Sequence, residues 1–165
     1  MTRDETILLY HEYSKKLYNT SWRIVRNEEV AQEIMHDTLL KFIFRNVKCE
    51  NEQQRGAWLS RTCIRKSLDY LRRRKSEARM LEGFGQFSET IEEDLFNPET
   101  EQQAARVRDA IMEIPPPFGT ILDLVLLEGL DYEEIAELSG EKEVTLRSRF
   151  SRARQKLLEK LKNDE

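Results

Sequence analysis

The sequence predicts an all-α protein made of two small helical domains joined by an acidic linker, the second domain carrying a helix-turn-helix. Three observations predict this. Apolar residues return at steps of three and four along most of the chain, only 6 Gly and 4 Pro interrupt 165 residues, and charge is laid out in blocks. Residues 1–75 hold 16 Lys/Arg against 10 Asp/Glu, residues 76–100 hold 1 against 7, and residues 144–162 hold 7 against 1. The net charge of −4 therefore hides two basic zones with acid between them. The expected partition is a first domain over 1–75, a linker over 76–97 and a second domain over 98–165.

A first helix is expected over about 4–25, its buried face marked by Ile7, Tyr10, Tyr13, Leu17, Ser21 and Ile24. Asn27 can cap a second helix, because a short amide accepts a hydrogen bond from the first turn and Glu28 and Glu29 suit the positive end of the dipole. Its stripe is Ala31, Ile34, Met35, Thr38, Leu39, Phe42 and Ile43. A polar loop, Lys48 to Gln54, precedes a third helix from about Arg55 to Lys75. Asn97-Pro98 then offers a cap and first helical position for a helix ended by Pro115-Pro116-Pro117. Phe118, Ile121, Leu122, Val125 and Leu126 mark the next helix, closed by Gly129.

Asp131-Tyr132-Glu133-Glu134 reads as a capping box that opens a short helix, and Ala136 precedes Gly140 by four residues. A small residue there lets two helices approach, and glycine permits the left-handed backbone of a tight turn. The helix that follows, from about Glu143, would bury Leu146, Phe150, Ala153, Leu157 and Leu161. Arg147, Ser148, Ser151 and Arg152 then turn outward, where a helix can meet guanine edges and phosphates in a major groove. Glu141 falls where such turns usually carry an apolar residue. On the third helix a second basic face gathers Trp58, Arg61, Arg65, Lys66, Arg72 and Arg73 around a single acid, Asp69, which suits phosphates together with an unpaired base.

Other classes find little support. No apolar run approaches the roughly 20 residues of a membrane span, and Met1 to Glu5 hold no apolar secretion core, so a cytoplasmic protein without membrane insertion is expected. Cys49 and Cys63 have no metal or redox spacing, and His11 and His36 join no cluster. With no nucleophile–base motif and no phosphate loop, the expectation is no catalytic residue, metal, cofactor or small-molecule substrate.

The chain resembles the extracytoplasmic-function (ECF) RNA polymerase sigma factors over nearly its whole length. The strings that carry the resemblance are Ala57-Trp58-Leu59 with Leu68-Asp69-Tyr70-Leu71-Arg72-Arg73-Arg74, and Glu128 to Ala136 with Thr145-Leu146-Arg147-Ser148-Arg149 and Arg152-Ala153-Arg154. The resemblance implies that the first domain reads and melts the promoter −10 element. The loop near Lys48–Arg55 would cradle a flipped base, and the basic face would track the non-template strand. The second domain would bind the −35 element through Arg147, Ser148, Arg149, Ser151 and Arg152. Glu33, His36, Asp37 and Lys41 would dock on the coiled coil of the polymerase β′ subunit. The implied partners are core polymerase, through that coiled coil and the β flap, promoter DNA, and an anti-sigma factor. His36, Asp37, Arg65 and Val144 stand where the family commonly has Gln, Glu, Asn and Gly, so a preferred −10 sequence does not carry over. Two other classes fit less of the pattern: a self-sufficient operator-binding regulator, and a nucleic-acid-processing enzyme, which needs clustered metal-binding carboxylates.

Overall fold

The computed structural model describes residues 1–79 and 100–163, and every regular element among them is a helix. The chain forms two compact units, Met1–Gly83 and Phe84–Glu165. Most of the expected linker, 76–97, and with it the expected cap Asn97-Pro98, lies outside the described residues.

The first unit holds α1 (Arg3–Val25), α2 (Glu28–Phe44) and α3 (Glu52–Arg79). Each start is fixed by a side chain that accepts from an otherwise orphaned backbone N–H. Thr2 forms a capping box with Glu5. Asn27 Oδ1 accepts from the Val30 amide at 3.1 Å. At α3, Asn51 Oδ1 accepts from the Gln54 amide and Gln54 Oε1 accepts from the Glu50 amide, both at 2.9 Å. That local exchange starts α3 three residues before the expected Arg55, and the helix also runs past Lys75 to Arg79.

Leu17, Ile24, Leu59 and Ile64 are at most 1% exposed and form the centre of the core. The α2 stripe is buried as expected, apart from a half-buried Ile43. Two expectations need correction. Ile7 and Tyr10 are 45% and 41% exposed, because the first two turns of α1 bury only the line through Leu9. Thr62, which helical spacing places beside the basic residues of α3, is buried while Ala57 is exposed, because α1 and α2 both pack on α3.

In the second unit, α4 (Glu101–Met112) is capped by Thr100, whose hydroxyl accepts from the Gln103 amide at 3.1 Å. After the three prolines, α5 (Phe118–Leu122) widens into a π turn over Asp123–Leu127. The regular helix expected through Leu126 is therefore not formed. The wider turn brings Leu124 into the core at 2% exposure and leaves Val125 and Leu126 half-buried. Gly129 follows at φ 71°, a left-handed conformation that favours glycine. Then come α6 (Tyr132–Ser139) and α7 (Glu143–Asn163), with α7 packed on α4, α5 and α6. Ile111, Leu122, Ile135, Leu146 and Leu157 are at most 1% exposed.

Both tryptophans, Trp22 and Trp58, belong to the first unit, so fluorescence reports on that unit alone. Leu17→Ala is expected to cost it about 2–5 kcal/mol through the cavity left behind, moving the fluorescence transition in urea to lower denaturant. Asp131→Ala, which removes a cap from α6, is expected to cost the second unit about 1 kcal/mol. It should shift the circular-dichroism transition of that unit and leave the fluorescence transition in place.

Candidate nucleic-acid interface

The basic face of α3 projects because the opposite face is locked. The Cys63 thiol donates to the Leu17 carbonyl of α1 at 3.3 Å, and the buried Ser67 hydroxyl donates to the Cys63 carbonyl at 2.8 Å while sharing a hydrogen bond with Ser21 at 2.9 Å. These contacts fix both the rotation and the register of α3 against α1. Arg61, Arg65, Arg72 and Arg73 are consequently exposed and Lys66 is half-buried. Arg72 pairs with Asp69 at 3.2 Å, but both side chains are well exposed, so a stronger anion can displace the pair at little cost. Arg74 folds back over Tyr70. Trp58 is half-buried with its edge against Phe42, ring centroids 5.4 Å apart, which leaves part of the indole for a base.

The four expected docking residues lie on α2, where Glu33 and Asp37 are exposed and His36 stacks on Tyr10 at 5.7 Å. Lys41 differs. It stands at the border with α3, and its pKa is lowered by partial burial first and then by the like charges of Arg45, Lys66 and Arg65. Packing thus brings Lys41 to the basic face of α3, with Arg45, the C-cap of α2, one turn beyond it. Arg45 was not singled out in the sequence, because nothing local to α2 reveals which of its edges meets α3. Near the other end of α3, a cleft of about 850 Å³ opens between the start of α1, the end of α2 and the following loop. Its lining includes Glu5, Glu12, Phe42, Cys49, Asn51 and Arg55. Arg55 is held there by the Tyr13 hydroxyl at 3.5 Å and by Glu12 at 3.6 Å.

In the second unit the turn is built as its residues require. The Asp131 carboxylate accepts from the Glu134 amide at 2.8 Å and the Glu134 carboxylate accepts from the Asp131 amide at 3.3 Å, completing the capping box. Gly140, at φ 77°, donates its amide to the Ala136 carbonyl at 2.9 Å and ends α6. Leu146, Ala153 and Leu157 pin α7 to the core. Arg147 remains exposed and lies over the Tyr132 ring at 5.0 Å, while that ring meets Phe150 edge-on. Burial pushes the Tyr132 pKa up, and Arg147 partly opposes it. Ser148, Ser151 and Arg152 are half-buried beside Arg147. Arg149, expected among the DNA-facing residues, is engaged bidentately by Glu141, at 3.0 and 2.6 Å. Val144, 69% exposed, was not selected from the sequence; an exposed methyl-bearing side chain there can meet a thymine methyl.

Among the described residues no group of His, Cys, Asp and Glu could hold a metal ion, and no helix is long and apolar enough to cross a membrane.

Comparison with known families assigns both units. The sigma-70 region 2 profile matches residues 9–77, and the sigma-70 region 4 profile matches residues 104–157. The chain belongs to the sigma-70 family of RNA polymerase sigma factors. Within it, the similarities run to the ECF group. The chain is 30% identical over 153 residues to ECF RNA polymerase sigma factor SigE of Mycolicibacterium smegmatis, covering 90% of this chain but 58% of that relative. It is 27% identical over 142 residues to RNA polymerase sigma factor SigV of Bacillus subtilis, covering 86% of this chain and 82% of that one. Among solved structures, the sigma factor RpoE from Bartonella quintana, determined in complex with the anti-sigma factor NepR, shares the fold. The TM-score is 0.55 at 21% identity, with 98% of this chain and 99% of that chain covered. This sigma factor thus has its region 2 in the α1–α3 unit and its region 4 in the α4–α7 unit.

The crowding of cations at Lys41 has a titration signature. The Lys41 ammonium is expected to lose its proton below the pH of an ordinary lysine, read by carbon-detected NMR. Because the unfolded chain binds more protons in that alkaline window, the folded unit gains stability as pH rises through it. Arg45→Gln is expected to move the Lys41 pKa up without restoring it, since burial is the larger cause.

Proposed function

We propose that this sigma factor directs core RNA polymerase to promoters by reading the −35 element with α7 and the −10 element with α3, and that it opens the duplex while polymerase does the chemistry. The observation that carries the reading is that each unit exposes one cationic helix face whose opposite side is pinned in its own core. Arg147, Ser148, Ser151 and Arg152 face the −35 major groove. Arg61, Arg65, Lys66, Arg72 and Arg73 follow the non-template strand, with Lys41 and Arg45 extending that track, and Trp58 stacks on an extruded base. The cleft beside Asn51 and Arg55 receives a flipped base, its acidic lining keeping the phosphate backbone at the rim. Glu33, His36 and Asp37 dock on the β′ coiled coil, and the second unit meets the β flap.

Either face alone binds weakly, because phosphate contacts are blind to sequence and fade steeply with salt. Polymerase makes them selective by holding both at a fixed spacing, which turns the second contact into an intramolecular one. Base capture then offsets the few kcal/mol that unstacking costs. The site of action is the cytoplasm, where polymerase works. By analogy with the Bartonella neighbour, an anti-sigma factor is a third partner.

Transcription from a promoter library with purified core polymerase, with and without the protein, tests this directly. A family of start sites sharing two spaced elements is expected, and its absence sinks the reading. On a selected promoter, Arg152→Ala is expected to weaken binding by about 1–3 kcal/mol, roughly 5- to 150-fold. Arg65→Ala is expected to slow opening. A pre-melted template should rescue Arg65→Ala and leave the Arg152→Ala defect; equal loss in both contradicts the division of labour.

A further inference from the structure

The turn between α6 and α7 carries an acid where its geometry asks only for a compact residue. Glu141 follows Gly140, and its amide donates to the Ser139 hydroxyl at 3.2 Å. Its carboxylate receives both terminal nitrogens of Arg149, Nη1 at 3.0 Å and Nη2 at 2.6 Å. The Arg149 side chain is only 17% exposed and that of Glu141 38%, so the pair is partly withdrawn from water. A guanidinium is a planar fork, and the edge that grips a carboxylate bidentately is the edge that would grip a guanine or a phosphate. Here that edge is occupied from within the chain.

Helix geometry agrees with the contact. At about 100° per residue, Arg149 lies about 40° from Ala153. Ala153 is fully buried, so Arg149 borders the core-facing side of α7. Ser148 lies about 100° further out, beside Ser151 and Arg152.

We propose that Arg149 is a positioning residue and not a DNA ligand: Glu141 takes the place a phosphate would have, clamps the turn to the first turns of α7, and sets the number of cations that α7 offers to DNA. This deepens the reading of α7 as the −35 helix and rests on it. Two properties are separated by the pair. The clamp holds Arg147, Ser148, Ser151 and Arg152 in a fixed presentation, and the carboxylate cancels one positive charge that the sequence alone counts toward DNA.

Salt dependence distinguishes a clamped arginine from a contacting one, because each phosphate contact adds about −0.9 to the slope of log K against log salt concentration. The full chain is titrated into a fluorescent duplex by anisotropy across a series of KCl concentrations. Glu141→Gln, nearly isosteric with the native residue, frees the Arg149 charge and is expected to steepen the slope by about 0.9. Glu141→Gln combined with Arg149→Ala is expected to return to the wild-type slope, with weaker affinity because the clamp is gone. If instead Glu141→Gln matches the wild type and the double variant is shallower by about 0.9, Arg149 contacts DNA in the native protein and the inference is overturned. Arg152→Ala separates this from failure of the reading beneath it. That variant should lose about 0.9 of slope, and a slope unmoved in every variant, Arg152→Ala included, overturns the −35 role of α7 and the clamp with it.

Discussion

Burial of an apolar stripe is the constraint on which the rest of this structure depends, because it fixes the rotation of a helix and therefore the direction in which its charges point. On α3, Leu59, Cys63, Ile64 and Ser67 cannot leave the core without exposing apolar surface or orphaning hydrogen bonds, so Arg61 and Arg65 have only the solvent side available. On α7 the same role falls to Leu146, Ala153 and Leu157. Burying a guanidinium without a partner costs several kcal/mol, so on α3 the two requirements, apolar inward and cationic outward, choose one rotation together, whereas α7 takes Arg154 inward at 7% exposure. Burial first, and then the like charges of Arg45, Lys66 and Arg65, lower the Lys41 pKa, and an anion nearby would oppose the second of these.

A net charge of −4 does not oppose this function, because charge acts through its distribution. In the second unit, Glu133, Glu134 and Glu137 of α6 precede the basic α7, and Glu141 sits in the turn itself. Such an arrangement keeps the cationic face from being sticky toward every polyanion. The carboxylate after the turn glycine finds an arginine two turns along and is held by it bidentately.

Much of the fold was legible in the sequence wherever the signal is local. The Asn27 cap, the Asp131–Glu134 box, the Ala136–Gly140 turn and the stripe of α2 are short-range patterns that form as the spacing dictates, whereas Phe150 and Leu161 of the expected α7 stripe are only half-buried. The misreadings are partly local and partly not. Asn51 and Gln54 look like loop residues until their side chains are seen trading hydrogen bonds with the start of α3. Ile7 and Tyr10 have the right period, but periodicity does not say which turns of a helix find a neighbour. Thr62 is covered because two helices flank α3, and the π turn moves Leu124 inward, neither of which a helical wheel encodes. The candidate site follows the same division: the sequence named the cations on each helix, but only packing gathers Lys41 and Arg45 with Arg65, or gives Arg149 to Glu141.

In the proposed mechanism, two pinned cationic faces are too weak to select a gene until a larger assembly fixes their spacing. Anisotropy on a promoter duplex and on a scrambled duplex, at physiological salt, with the chain alone and then with core polymerase, measures this most directly. The predicted result is near-equal, weak binding of both duplexes by the chain alone, and strong preference for the promoter once polymerase is present. Tight, sequence-specific binding by the chain alone would contradict the account and mark the protein as a self-sufficient DNA reader.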